Sequence, residues 1–195
     1  MNPPGILLET ARMFLRELCA DDADLIFQLD SDPEVMRFIS QGVPTPRETF
    51  LQVYLPRMLS WQGQRPPRGF WAAHLRAGGE FIGWFHLRPD KITPEEMELG
   101  YRLARSAWGR GLATEGARAL IEKAFREWGY EKISARTLAV NLASQRVMQK
   151  AGLKFEHEFT YGPEVIPGAT ESERRAVKYS LARRGFANQT VSTLE

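Results

Sequence analysis

The chain has 195 residues, which fits one domain at roughly 100 to 200 residues per domain. Its composition, 43% hydrophobic and 26% charged, excludes a disordered or collagen-like chain. The net charge of +2 is too small for a protein that binds nucleic acid by neutralising many phosphates. A single cysteine, Cys19, excludes an intramolecular disulfide and a cysteine-based zinc cluster. Because there is neither a signal-peptide plan nor an apolar run of about 18 residues, we expect a cytoplasmic protein that does not span a membrane.

The first half of the chain predicts both helices and strands. Alternating apolar and polar residues indicate strands, and apolar residues three and four apart indicate helices. In chain order these patterns predict a strand over 10–18, a helix from 20 to about 32, a helix over about 46–61, and strands over 69–76 and 80–87. Pro33 ends the first helix, because proline restricts the residue before it. Gly78 and Gly79 lie between the last two strands, which therefore form a hairpin.

The second half continues the mixture. It predicts a strand over 97–104, a helix after Gly111 that Gly129 caps, a strand over 133–140, a helix from Asn141 to Gly152, and strands over 153–159 and 174–181. This order predicts a mixed α/β sheet in one domain, residues 1–195, with its core over about 10–181. Residues 182–195 are predicted to be a polar tail.

A glycine-rich turn, WGRGLAT at residues 108–114, follows a predicted strand and opens the longest predicted helix. Backbone N–H groups and the helix dipole form an anion site in such a position, and Gly109 and Gly111 let a ligand approach the backbone. A tight strand-to-helix turn explains the two glycines equally well. A P-loop is excluded because no Gly-Lys-Ser/Thr follows, and a dinucleotide motif lacks its third glycine at Thr114.

A second polar group lies about 30 residues later, where Asn141 and Ser144 stand at the start of a predicted helix. Alone, Asn141 is a good N-cap and Ser144 a solvated residue. Together with WGRGLATE at 108–115 and KAGL at 150–153, the pair resembles the GNAT superfamily of acyl-CoA-dependent N-acyltransferases. Within it, the similarity is to the RimJ/RimL type of ribosomal-protein N-terminal acetyltransferases. Trp108 replaces the superfamily's Arg or Gln, as it commonly does in that subgroup, and Leu153 replaces a Phe.

The resemblance implies an α/β (α+β) GNAT fold, with a mixed, mostly antiparallel twisted sheet of about six to seven strands and about four helices. It implies that the glycine-rich turn binds the pyrophosphate of acetyl-CoA and that a sheet strand pairs with the pantetheine arm. This pairing requires the strand over 97–104 to splay from the strand over 133–140. The implied binding residues are Tyr101, Leu103, Gly109, Arg110, Gly111, Leu112, Ala113, Thr114 and Asn141.

Amine acetylation needs a neutral amine, a stabilised oxyanion and a protonated leaving thiolate. Glu98 is the candidate base, acting directly or through a water, although it is equally placed as the polar face of a strand. Many GNAT enzymes carry a tyrosine acid where this chain has Met148, and methionine cannot donate a proton. The resemblance to the RimJ/RimL type assigns the protonation of the thiolate to Ser144.

Several functional alternatives stay open at this point. The acceptor is a protein N-terminus, a free amino acid, a polyamine or an antibiotic, and the acyl group is acetyl or a larger one such as succinyl. A non-catalytic acyl-CoA sensor on the same fold is the alternative to an enzyme. The three histidines lack the spacing of metal ligands, so no metal is expected. Acyl-CoA and an amine are the expected partners, and family habit suggests a homodimer. A bulky residue at Gly111 is expected to close the phosphate site.

Overall fold

The chain folds around one eight-stranded sheet in a computed structural model, which describes residues 5–191. The strands are β1 Ile6–Glu9, β2 Met13–Glu17, β3 Gly69–Leu75, β4 Phe81–Pro89, β5 Met97–Leu103, β6 Lys132–Leu138, β7 Lys154–Thr160 and β8 Arg175–Ala182. Their order is β1-β2-β3-β4-β5-β6-β8-β7, and every neighbouring pair is antiparallel except β5 and β6. The expected mixed, mostly antiparallel sheet is confirmed, with one strand more than we predicted.

Helices cover the two faces of this sheet. They are α1 Ala23–Ser31, α2 Pro33–Met36, α3 Arg47–Thr49, α4 Leu55–Leu59, α5 Leu112–Arg126, α6 Leu142–Lys150 and α7 Arg183–Val191. A π-helical turn, Phe50–Tyr54, joins α3 to α4, so the single helix predicted over 46–61 consists of three contiguous segments. Across residues 5–191, no helix is long and apolar enough to cross a membrane.

The alternation of side chains along β5 separates two functional faces. Leu99 and Leu103 are buried in the main core, which also contains the apolar stripe of α5. Glu98 and Arg102 lie on the opposite face, where Arg102 covers the Trp84 ring. A smaller apolar cluster from α1, α4 and their neighbours covers part of that second face. The sheet therefore has a packed side and a side that carries charged residues.

Both ends of the chain differ from the sequence prediction. β1 pairs antiparallel with β2, although its segment has too few alternating residues to predict a strand. At the other end, α7 occupies most of the segment that we predicted as a polar tail, and residues 192–195 lie outside the described residues. Phe186 gives α7 its apolar contact, with its ring centroid 5.4 Å from that of Phe125.

Candidate active site

The candidate active site lies where β5 and β6 separate. Among the described residues the two strands pair only at Met97 with Ile133 and at Glu98 with Ser134. Beyond these pairs a cavity of about 760 Å³ extends from the start of α5 to the turn after α2 and the loop after β7. The splaying that the resemblance required is therefore present. We call one part of the cavity the far end. It is lined by α2 and the turn after it, by the β7–β8 loop and by Arg136 of β6.

The glycine-rich turn closes the other end of the cavity. Gly109 and Gly111 have φ values of +70° and +77°, a left-handed conformation that glycine adopts without strain. Gly111 is the N-cap of α5, and its carbonyl accepts the first helical hydrogen bond, from the Glu115 N–H. The N–H groups of the first helical turn have no partner within the helix, so they can bind an anion. The Leu112 side chain is fully buried, which leaves only its backbone for a ligand.

The cavity brings together most of the residues that the sequence assigned to acetyl-CoA. Those that line it are Tyr101, Leu103, Gly109, Gly111, Leu112, Ala113, Thr114 and Asn141. Arg110 is not part of the wall, and its guanidinium donates to the Ser106 carbonyl at 3.3 Å. Its expected contact with the pyrophosphate therefore stays a prediction about the rim.

A cluster formed by Thr10, Arg12 and Glu115 supports the turn from behind. Arg12 donates through Nε to the Glu115 carboxylate at 2.6 Å and through Nη1 to the Arg110 carbonyl at 2.8 Å. The Thr10 hydroxyl donates to the same carboxylate at 2.6 Å. Burial acts to raise the pKa of Glu115, but these hydrogen bonds outweigh burial and lower it. The sequence analysis missed this cluster, because nothing local in the β1–β2 segment indicates a partner in α5.

Tyr101, Asn141 and Ser144 meet at the start of α6. The Asn141 side chain caps the helix by accepting the Ser144 N–H at 3.1 Å. The Tyr101 hydroxyl donates to the Ser144 carbonyl at 3.1 Å and lies 3.0 Å from the Ser144 Oγ. Burial raises the pKa of Tyr101 to about 12, so its phenol keeps its proton at neutral pH. The geometry thus gives Ser144 a protonated neighbour.

Glu98 lies behind the cavity wall rather than on it. Its side chain is 17% exposed, and its Oε2 lies 2.5 Å from Nη2 of Arg88. Burial is the main cause that raises the pKa of Glu98, and the charge of Asp90 adds to it while Arg88 opposes it. A carboxylate in this position can accept a proton from a group at the wall directly or through a water.

His86 packs beside Glu98 and explains a glycine in β5. A Cβ built on Gly100 would lie 2.4 Å from Cε1 of His86, so only glycine fits there. Burial lowers the pKa of His86 well below its usual value, and Arg88 and Arg102 lower it further, so the imidazole is neutral. Within residues 5–191 no cluster of side chains could hold a metal ion. His86 is therefore a packing residue in this structure.

Arg136 and Tyr161 line the far end of the cavity, and the sequence analysis did not identify either. Arg136 projects from β6 onto the face that carries Glu98, and its Nη2 pairs with Asp90 at 2.6 Å. Tyr161 follows β7, and burial raises its pKa to about 12, with the charge of Glu98 adding to the shift. No local pattern marks these two residues, because their proximity depends on how the two strands are arranged.

Comparison with known proteins identifies the class to which a chain with this split strand pair and glycine-rich helix start belongs. Residues 12–154 match the family model described as an acetyltransferase (GNAT) domain. The chain therefore belongs to the GNAT family. It is an N-acetyltransferase, and its acyl donor is acetyl-CoA.

Individual relatives support this assignment. The chain is 34% identical over 184 residues to the FsC-acetyl coenzyme A-N(2)-transacetylase of Aspergillus fumigatus. The aligned residues are 90% of this chain and 76% of that protein. It is 35% identical over 156 residues to YkkB of Bacillus subtilis, and this alignment covers 76% of this chain and 85% of YkkB. Among solved structures, a GNAT-family acetyltransferase from Bacillus anthracis has a TM-score of 0.74 at 20% identity, covering 91% of this chain and 98% of that one.

Proposed function

We propose that this N-acetyltransferase moves the acetyl group directly from acetyl-CoA to a primary amine of a peptide N-terminus or a small molecule. The observation that carries the proposal is the β5–β6 split, where the glycine-rich turn and Ser144 line one cavity and Glu98 lies behind its wall. The nitrogen position, N(2), in the name of the transacetylase relative of Aspergillus fumigatus supports a nitrogen as the acceptor atom.

Acetyl-CoA binding follows from the backbone of this site. The pyrophosphate is held by the N–H groups of Gly109, Gly111 and the first turn of α5, where the helix dipole favours negative charge. Because β5 has no strand partner on its β6 side beyond Glu98 within the described part of the chain, its free edge pairs with the amides of the pantetheine arm. Asn141 and Tyr101 line the path of this arm.

The chemical step moves two protons and exchanges one bond for another. The amine gives a proton to Glu98, directly or through a water, and its nitrogen attacks the thioester carbonyl. A C–N bond forms and the C–S bond breaks. As the thiolate leaves, it takes the proton of the Ser144 hydroxyl while solvent returns a proton to the serine oxygen in the same step, so no serine alkoxide persists. The Tyr101 hydroxyl, 3.0 Å from the Ser144 Oγ, turns its one O–H from the Ser144 carbonyl to the Oγ during this transfer. Ser144 thus replaces the tyrosine that Met148 cannot provide.

The test combines calorimetric titration of acetyl-CoA with thiol release on a panel of amines and N-terminal peptides. Binding with thiol release and an acetylated product supports the proposal. Tight binding with no turnover on any amine favours the sensor alternative instead. No binding contradicts the role of the glycine-rich turn. Parallel titration with succinyl-CoA reports whether the site accepts a larger acyl group.

Three further assignments belong to this proposal. The WGRGLATE segment and the Asn141–Ser144 pair support membership of the RimJ/RimL-like subgroup. The single cysteine supports a cytoplasmic location. We also propose a homodimer, because most soluble oligomers close as twofold pairs, and light scattering of the purified protein tests it.

A further inference from the structure

The cavity wall carries more positive than negative side chains. Its basic residues are Arg37, Arg102, Arg136, Arg146 and Lys150, whereas Glu34 is its one acidic residue among residues 5–191. The carboxylates of Asp30 and Asp90, which pair with Arg102 and Arg136, lie outside the wall. This charge suits the phosphates of acetyl-CoA at one end, but the basic residues of the far end lie beyond the glycine-rich turn.

Two of the three guanidinium nitrogens of Arg136 make no contact with Asp90. Only its Nη2 contacts Asp90, at 2.6 Å from each carboxylate oxygen. Asp90 also accepts the backbone N–H groups of Ile92 and Thr93 and the Ser134 hydroxyl, so its charge is stabilised by four separate groups. Nε and Nη1 of Arg136 make no hydrogen bond within residues 5–191, and neither is among the fully buried atoms without a partner, although the side chain is only 5% exposed. They lie on different sides of the guanidinium, so each offers a single charge-assisted hydrogen bond to a carboxylate oxygen.

Tyr161 offers a second free donor at the same end. Its hydroxyl has no hydrogen-bond partner in the part of the chain that the structure describes, and it is not a fully buried orphan. The Tyr101 hydroxyl, by contrast, is already occupied by Ser144. Arg136 therefore presents only donors to a bound molecule, and Tyr161 adds a hydroxyl that keeps its proton and can donate it.

The register of the sheet relates the backbone position of Arg136 to that of Glu98. Glu98 pairs with Ser134 across the last joined residues of β5 and β6. Arg136 is two residues farther along β6, on the same face, which corresponds to roughly 7 Å along the strand. An amine near Glu98 and an anion at Arg136 are therefore a few bonds apart in one molecule.

We infer that the acceptor is an amine that carries a carboxylate a few bonds from its nitrogen, and that Arg136 and Tyr161 bind this carboxylate. This inference rests on the proposed amine acetylation. The apolar side chains of Val35, Phe38 and Ile166 at the far end accommodate an apolar substituent on the same molecule. A polycationic amine is a poor acceptor, because it meets the positive wall with one carboxylate, Glu34, to oppose it. The carboxylate belongs either to a free amino acid or to an acidic residue at a peptide N-terminus.

The first test uses the unchanged enzyme and matched acceptors. Phenylalanine, phenylalaninamide and 2-phenylethylamine share one side chain and differ in the group beside the amine, and spermidine represents the polycations. The peptide amides Asp-Phe and Asn-Phe, whose N-terminal residues differ only in the charge of the side chain, form a second matched pair for the peptide source. With kcat/KM corrected for the neutral amine fraction, we expect at least a tenfold preference for the carboxylate in one of the two series. The series that shows it identifies the source.

The second test changes the two donors. Arg136→Lys keeps a cation near Asp90 but loses the unpaired Nε and Nη1 donors, and Tyr161→Phe removes only a hydroxyl. Each is expected to raise KM for the carboxylate acceptor about tenfold, to leave KM for acetyl-CoA unchanged, and to reduce the preference over the uncharged analogue. Arg126→Lys, an exposed change on α5, is the matched control and should retain the preference.

The outcomes separate this inference from the proposal beneath it. Acetylation that is equal for charged and uncharged acceptors, or faster with spermidine, overturns the carboxylate site and leaves amine acetylation intact. Retained preference in both variants also overturns the assignment of Arg136 and Tyr161. If no amine in either series releases thiol, the proposed function fails and this inference fails with it.

Discussion

Gly111 shows how one residue can determine acetyl-CoA binding through its backbone. We expect a bulky side chain here to close the phosphate site. Within the protein, a Cβ at Gly111 would meet only Nη2 of Arg12, at 3.6 Å, so crowding by protein atoms at this Cβ is not what requires glycine. The φ value of +77° at Gly111 is what requires glycine, because a β-branched residue cannot adopt this value without a cost of about 1–3 kcal/mol.

We predict that Gly111→Val weakens acetyl-CoA binding at least tenfold in a calorimetric titration, since relaxing the strain turns the N–H groups away from the pyrophosphate. Gly78→Val is the control, because Gly78 has a φ of +87° in the β3–β4 hairpin with no atom near its Cβ. That variant should lose stability but bind acetyl-CoA normally. Normal affinity in Gly111→Val would mean that the turn is only a connection.

The environment of Glu98 predicts a pH dependence. Burial raises the pKa of this carboxyl above its usual value, and a base must be ionised to act. With acetyl-CoA saturating, kcat/KM should therefore fall as the pH drops through this raised pKa, at a higher pH than for an exposed glutamate. Glu98→Gln should lower kcat/KM by about 10² to 10⁴ and remove this part of the acidic limb, leaving only the titration of the amine.

A matched control for this profile is Glu80→Gln, which changes an exposed residue just before β4. Its profile should coincide with that of the unchanged enzyme. If the acidic limb persists in Glu98→Gln at the same pH, Glu98 is only the polar face of its strand.

Between elements, the β1–β2 segment and α5 are joined by the cluster of Thr10, Arg12 and Glu115. Removing Arg12 frees the Arg110 carbonyl and one side of the Glu115 carboxylate, so the glycine-rich turn loses its support. We predict that Arg12→Met raises the Kd for acetyl-CoA about tenfold, with little change in kcat at saturation.

Arg12→Lys distinguishes support from simple charge. A lysine keeps the positive charge but cannot donate to two separate acceptors in the geometry of a guanidinium. It should therefore bind acetyl-CoA nearly as weakly as Arg12→Met. Full recovery by lysine would show that Arg12 acts only through its charge. Arg47→Met, which breaks an exposed pair with Asp24, is the control and should bind acetyl-CoA normally.

A comparison of the predicted elements with the observed ones shows which features the sequence alone could predict. β5 and α5 were predictable because their alternation and apolar stripe are local properties, and the two glycines between them mark the turn. β1 was not, because its four residues become a strand only through β2. Arg12 and Glu115 are 103 residues apart. Arg136 and Tyr161 likewise gain a role only when β6 and the end of β7 come together, which no single segment reveals.

For the whole molecule, ion pairs make stability depend on pH. Burial acts to raise the pKa values of Asp22, Asp90 and Glu96, but hydrogen bonds and neighbouring cations outweigh burial and lower all three. A carboxyl whose pKa is lower in the folded than in the unfolded chain stabilises the fold above its unfolded pKa, which is about 4. Each tenfold gain in acidity on folding contributes about 1.4 kcal/mol. This stabilisation is lost as the pH falls from about 4.5 through the lowered values.

We therefore predict that the free energy of unfolding in urea already declines below about pH 6.5, because the unfolded chain protonates His86 and the folded chain does not, and that it falls more steeply below about pH 4.5. Asp90→Asn should lower stability at pH 7 and make the remaining pH dependence shallower. Asp24→Asn, at an exposed pair, should leave both unchanged. Equal stability at pH 7 and at about pH 3.5 would contradict the role of these pairs.

The gap between β5 and β6 also affects the continuity and rigidity of the whole sheet. Five strands on one side and three on the other are joined by two residue pairs, so the sheet is continuous at one end and interrupted at the other. When the pantetheine arm of acetyl-CoA occupies the gap between β5 and β6, it supplies the hydrogen bonds that are missing there and makes the eight strands one continuous sheet. Those amide hydrogens of β5 beyond Glu98 that face the β6 side should then exchange rapidly in the free enzyme and slow markedly with acetyl-CoA, while those of the β3–β4 ladder change little. The substrate is, in this sense, a temporary part of the scaffold that holds it.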